Sequence, residues 1–246
     1  MTTKVWVFAI CWNEVQMMPF FLRHYSTFAD RIIIWDEEST DGTRQLVEAC
    51  PKAELKNWPF KGLDDEAFLL AVNNWWKPYR ARCDWVLWAD ADELLHHPAP
   101  LEALEKASGD IVPATGYALI ANNGFPNSCA QIYDEIRTGA RQENYDKRIL
   151  WRSRTDITHT IGRHTYAGQW PKSNGRICSD LGFKLLHCHH AGGVSDTTSR
   201  NHRDYDRAVN KKYAWNYSPE HDKPEQPGSV AWVKDVIESG KLINVL

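Results

Sequence analysis

The chain has 246 residues, 43% of them hydrophobic and 25% charged, with a formal net charge of -3. These are the proportions of an ordinary globular protein, long enough to bury about 70% of its unfolded surface. They exclude a strongly basic, general nucleic-acid binder, and no run approaches the ~20 apolar residues of a membrane span.

In chain order, "KVWVFAIC" (Lys4 to Cys11) is a continuous apolar run, as in a strand buried on both faces. "EVQMMPFFLRHYSTF" has helical periodicity, with Pro19 tolerable near the first turn. "RIIIWD" is a second buried strand, and "STDGTRQLVEAC" offers Thr40 or Asp41 as the cap of a short helix. "AELKNW" is a third strand, "DDEAFLLAVNNWWKPYRARC" a helix that Pro78 ends or kinks, and "DWVLWAD" a fourth strand. This alternation predicts an α/β fold with a mainly parallel sheet flanked by helices. Such sheets bind ligands beyond the carboxyl ends of their strands. Later, "DIVPATGYALIA", "DKRILWR" and "GFKLLHCHH" read as strands and "SRNHRDYDRAVNKKYAWN" as a polar helix. No linker or repeat divides the chain, so one domain is expected over 1-246, with a nucleotide-binding half at 1-97 and a smaller mixed portion at 98-246 ending in a helix. The opening residues lack the apolar stretch and cleavage site of a secretory leader. Six scattered cysteines without CxxC pairs suit reduced thiols of a cytoplasmic protein. Twelve tryptophans are many; core packing is the first expectation and a stacking platform for a sugar or base the second.

The fourth strand ends on Asp90, Asp92 and Glu93. In an extended chain residues i and i+2 share a side, so Asp90 and Asp92 are expected to project together. Two such carboxylates repel unless a positive charge lies between them, and Mg2+ or Mn2+ suits their oxygens. The bland alternative is a helix cap. Asn13 and Glu14 after the first strand, and Asp36 and Asp41 after the second, are expected at the same edge, where a nucleoside could hydrogen-bond.

Together, the "WNE" after the first strand, "DEESTDGT" at Asp36 to Thr43 and "WVLWADADEL" resemble the family 2 glycosyltransferases, which have the GT-A fold. "YDKRILWR", "IGRHTYAG" and "FKLLHCHH" are similar to the back half of a bacterial subgroup. The resemblance implies transfer of a sugar from a UDP- or GDP-linked donor to a glycan or lipid-linked acceptor, with inversion at the sugar carbon. It implies that Asp36 and Glu14 lie at the nucleoside and that Asp90 and Asp92 hold the diphosphate through Mn2+ or Mg2+. It also implies a late histidine as a further metal ligand. His187 and His189 alternate on the expected strand and are the candidates, with His164 a third. A zinc site in "HCHH" is the rival, made awkward by crowding on one strand.

An inverting transfer needs a carboxylate base, and the family's late acidic motif is not recognisable. Asp134 and Glu135 are the candidates, with Asp180 before the histidine strand also in reach. The basic stretch from Arg137 to Arg154 reads mainly as a solvated face, with one or two members free to reach phosphate or an anionic acceptor. The rival readings are a metal-dependent phosphohydrolase or nucleotidyltransferase, and a non-catalytic sugar- or nucleotide-binding module.

Overall fold

Alternation along the early strands divides the core into two layers. The computed structural model describes residues 3-121, 124-126, 130-163, 171-211, 218, 222-226 and 228-246. In β1 (Val5–Cys11), Val5, Val7, Ala9 and Cys11 enter one buried cluster while Trp6 and Phe8 enter another. β2 (Arg31–Asp36) sends Ile32 and Ile34 to the first cluster and Ile33 and Trp35 to the second. After β3 (Ala53–Asn57), β4 (Trp85–Trp88) repeats the pattern with Trp85 and Leu87 against Val86 and Trp88. A strand covered on both faces needs apolar residues at both parities, which is why these segments read as unbroken runs.

Helices α1 (Met18–Ser26) and α2 (Thr43–Glu48) cover the first face and α3 (Asp65–Asn74) the second. The order β3-β2-β1-β4 is parallel throughout. The later elements are β5 (Glu93–His96), α4 (Pro100–Glu105), β6 (Ile111–Leu119), α5 (Ile132–Glu135), β7 (Thr138–Arg141), β8 (Lys147–Arg152), β9 (Ile157–Thr158), β10 (Lys172–Ser173), β11 (Lys184–His187), α6 (Gly193–Arg207), α7 (Val230–Glu238) and β12 (Ile243–Asn244). β8 joins β4 antiparallel, and β6, β7 and β12 extend the sheet beyond it. β11 lies between β6 and β5, while β9 and β10 pair separately. The α/β class, the parallel first half and the mixed remainder are as expected.

Local details differ from expectation. Pro19 does sit in the first turn of α1, but α2 is capped by Gly42 at φ +101, not by Thr40 or Asp41. Asp41 still serves the helix start, accepting from the Thr43 backbone N–H at 3.0 Å. α3 stops at Asn74, and Pro78 falls in a separate 3-10 turn. Among the described tryptophans, Trp6, Trp35, Trp58, Trp76, Trp85, Trp88, Trp151 and Trp232 are buried, so core packing accounts for most of them. Cys11, Cys50, Cys83, Cys178 and Cys188 are free thiols; Cys129 lies outside the described residues. Among the described residues no helix is long and apolar enough to cross a membrane.

Candidate functional site

Register brings the early loops to one edge. Cys11 stands beside Asp36 at the ends of β1 and β2, and Trp88 ends β4 opposite Phe8. Loops 12-17, 37-42 and 89-92 therefore emerge together, carrying Asn13, Glu14, Asp90 and Asp92, with Asp36 closing β2 beside them. Three residues other than glycine hold a positive φ among the described residues: Asn13 (+50°), Glu38 (+52°) and Arg163 (+56°). Glu38 and Asn13 lie in these loops, and Arg163 contacts Asp90. Such backbone is costly for a side chain and gathers where function demands a fixed shape.

The first two loops are laced to each other. Asn13 donates its backbone N–H to Ser39 Oγ at 2.8 Å, and its Oδ1 accepts from Thr40 N–H at 2.9 Å. Asp36 is fully enclosed, with its carboxylate accepting from Ser39 N–H at 2.8 Å and forming an ion pair with Arg44 at 3.5 Å. As placed, Asn13 and Asp36 shape the loops. Glu14 is buried and meets Arg203 at 2.9 Å and Arg200 at 3.3 Å; burial pushes its carboxyl up against the pull of both guanidiniums. Glu37 accepts from Gly62 N–H at 2.6 Å and pairs with Arg207. A Cβ at Gly62 would stand 2.7 Å from the Arg207 carbonyl oxygen, so only glycine lets this close approach happen. Arg200, Arg203 and Arg207 share one face of α6 at spacings of three and four. That stripe docks the helix onto the acidic mouth.

The Asp-x-Asp pair is split, which corrects the extended-strand expectation. β4 has ended before Asp90, and residues 90-93 form a turn closed by Glu93 N–H on Asp90 O at 3.0 Å. Asp90 faces Lys147 Nζ at 3.1 Å and the Arg163 guanidinium. Lys147 also meets Glu93, which is wholly buried, at 2.5 Å. Burial works to raise the Asp90 carboxyl, but Arg163 and Lys147 hold it below the usual range. With Lys147 and Arg163 each 3% exposed and Glu93 wholly buried, the cluster is interior except at Asp90, which is partly exposed at its rim. Lys147 and Arg148 are thus buried in β8 and do not belong to a solvated face.

Asp92 faces the histidines. Its Oδ2 lies 3.5 Å from His189 Nδ1, whose ring holds Asn201 Oδ1 at 2.7 Å through Nε2. Against burial, His187, His189 and Arg200 keep the Asp92 carboxyl well below its ordinary range. Burial alone would lower His189, but Asp92 raises it. His187 stacks on Tyr145 with centroids 4.3 Å apart, and burial lowers its pKa. Its Nδ1 is buried without a partner among the described residues. β11 ends at His187, so His189 and His190 occupy a following turn and the expected strand alternation does not apply to them. His190 turns to Tyr145 at 3.1 Å and Thr197 at 3.2 Å.

Asp134 and Glu135 are not brought here. Asp134 closes a capping box on α5, accepting from Gln131 N–H at 3.2 Å. Tyr133 beside it bonds His24 at 3.1 Å and packs on His96, the far end of β5 from Glu93. Asp180 accepts from Gly182 N–H before β11 begins, and His164 lies outside the described residues. Asp65, which sequence reasoning missed, lies in the field of Asp90. Burial, then Asp64 and Asp90, raise its carboxyl to about 6. Because the folded-state value exceeds that of the unfolded chain, its charge opposes folding in full above pH 6 and not below pH 4. Asp65→Asn is expected to stabilise the protein by about 1 kcal/mol at pH 7, allowing for screening at this half-buried site, and by nothing at pH 3.5. Urea unfolding at the two pH values checks it.

For a divalent ion the candidate ligands at this edge are Asp90, Asp92 and His189. Asp90 does not fit, since both its oxygens are engaged by buried cations. Asp92 and His189 do fit: one carboxylate oxygen and one imidazole nitrogen face each other, the second ring nitrogen being fixed by Asn201. Among the described residues no three His, Cys, Asp or Glu side chains surround one point. Mg2+ and Mn2+ are commonly held by few protein ligands, with water and phosphate oxygens completing the shell. The crowded nitrogen and sulfur set that zinc prefers is not assembled among the described residues.

No protein-family model and no curated protein matches the chain. Among solved structures, it is similar to glucosyl-3-phosphoglycerate synthase from Mycobacterium tuberculosis, in complex with Mn2+, uridine diphosphate and glucosyl-3-phosphoglycerate. That match has 20% identity and a TM-score of 0.34, over 47% of this chain and 44% of the other. A second is 4-diphosphocytidyl-2C-methyl-D-erythritol synthase, at 14% identity and a TM-score of 0.37, over 61% of this chain and 75% of that one. A third is HddC from Yersinia pseudotuberculosis, at 10% identity and a TM-score of 0.38, over 76% and 93%. The chain spans less than half the length of the first of these. At identities of 20% or less and TM-scores of 0.38 or less, these likenesses identify neither an activity nor a ligand.

Proposed function

We propose that the chain is a glycosyltransferase that moves a sugar from a UDP- or GDP-linked donor to a hydroxyl of a glycan or lipid-linked acceptor. The observation that carries this reading is Asp92 facing His189 at the carboxyl edge of a parallel sheet, where such folds take their ligands. Asp92 and His189 would hold Mn2+ or Mg2+, which supplies charge to stabilise a departing nucleoside diphosphate. Asn201 holds the His189 ring, and His187, His189 and Arg200 keep the Asp92 carboxyl low against burial. Asn13 and Asp36 support the reading by fixing the first two loops at that edge.

Incubation with UDP- and GDP-sugars, Mn2+ and a mixed acceptor pool is the test. Release of nucleoside diphosphate together with glycosylated product is expected. Release of nucleoside monophosphate would replace this reading with phosphoryl chemistry. Donor binding without turnover across the pool would leave a binding module.

A further inference from the structure

The interior cluster beneath the turn has no place in that chemistry, yet it is built into the same stretch of backbone. Lys147 on β8 reaches Asp90 at 3.1 Å and Glu93 at 2.5 Å, so one ammonium spans both ends of the turn that carries Asp92. Arg163 anchors the same turn from the other side. It contacts Asp90, comes within 3.8 Å of Glu93 and donates to the Trp88 carbonyl at 2.7 Å. Glu93 Oε2 accepts the Asp90 backbone N–H at 3.1 Å, closing the turn through its own side chain. The Asp92 carbonyl then accepts Cys188 N–H at 2.8 Å, between His187 and His189. The turn and the histidine segment are thereby tied at the residue whose carboxylate faces His189.

We propose that Lys147 is a positioning residue: by locking Asp90 and Glu93 it fixes the 90-93 turn so that Asp92 meets His189, while Asp90 itself holds no ion. This rests on the ion-binding role given to Asp92 and His189 above. A buried ammonium with 3% exposure has no need to touch the ligand to do this. Supporting groups of this kind characteristically change metal affinity 10- to 100-fold when removed.

The probe is Mn2+ alone, titrated against the full chain and followed by the loss of free Mn2+ in its spin-resonance signal. Lys147→Met, confirmed folded at low temperature by near-ultraviolet dichroism, is expected to bind Mn2+ at least tenfold more weakly. Lys147→Arg, which keeps the charge, is expected to stay within threefold of wild type. If Lys147→Met does not fold, the isosteric Glu93→Gln takes its place with the same tenfold expectation. The Mn2+ that wild type and Asp90→Asn bind should carry the same number of coordinated waters, whereas a lost ligand adds one. A folded Lys147→Met or Glu93→Gln with wild-type affinity overturns the positioning role alone. An extra water in Asp90→Asn restores Asp90 as a ligand and overturns it too. A wild-type protein that binds no Mn2+ removes the ion-binding reading and this inference with it.

Discussion

Lys147→Met is expected to destabilise the protein by about 3-5 kcal/mol, the range for breaking a buried ion pair from one side. The reason is what remains. Glu93 has no exposure, and the substitution strips it of its nearest cation without offering water instead. Arg163 stays in contact with Asp90 but lies 3.8 Å from Glu93, too far to replace an ammonium at 2.5 Å. Methionine matches the lysine stem in bulk, so packing along β8 is kept and the loss is electrostatic. Urea unfolding reads it as a shift of the midpoint to lower denaturant with the slope unchanged. The double variant Lys147→Met with Glu93→Gln should recover a measurable share, since the uncompensated charge is then gone. A single variant within 1 kcal/mol of wild type would show that water or a rearranged Arg163 already satisfies Glu93.

The parallel half was legible because its signal is local. "VWVFAIC", "RIIIWD" and "WVLW" place apolar residues at both parities, and both faces of β1, β2 and β4 are covered. Strand ends then had to share an edge, which brought Asn13, Glu14, Asp36, Asp90 and Asp92 together. What the residues do there was less legible, because their partners are distant in sequence. Lys147 lies 57 positions from Asp90, and Arg203 lies 189 from Glu14. No periodicity announces such a pair. A lysine opening a strand as apolar as "KRILWR" was nonetheless a signal, since a buried ammonium requires a carboxylate. Extended-strand alternation misplaced two pairs for one reason. Asp90 and Asp92 follow the end of β4, and His189 follows the end of β11, so each lies in a turn where alternation no longer holds. Arg200, Arg203 and Arg207 read only as part of a polar helix, and the fold alone shows that they face Glu14 and Glu37.

Asp92→Asn is expected to lower kcat/KM for nucleotide-sugar turnover by at least 100-fold, close to 3 kcal/mol of transition-state stabilisation. The amide preserves shape and volume, so what disappears is the charge that Arg200 and the histidines keep in place. Repacking should be slight, but a carboxylate held below its ordinary range stabilises the fold at neutral pH, so some fall in melting temperature is expected and turnover is compared at a temperature where both proteins are folded. Asn201→Ala probes the same centre from one step further out. It frees the His189 ring by removing the acceptor at 2.7 Å from Nε2, and a 10- to 100-fold loss is expected there. The two variants should differ in their response to Mn2+. Raising its concentration should restore much of the turnover of Asn201→Ala, where both ion-facing groups survive, and little of that of Asp92→Asn, where one is gone. Steady-state release of nucleoside diphosphate against Mn2+ concentration measures both. Asp92→Asn turning over within threefold of wild type would remove Asp92 from the chemistry, and the proposed transferase would then need another centre.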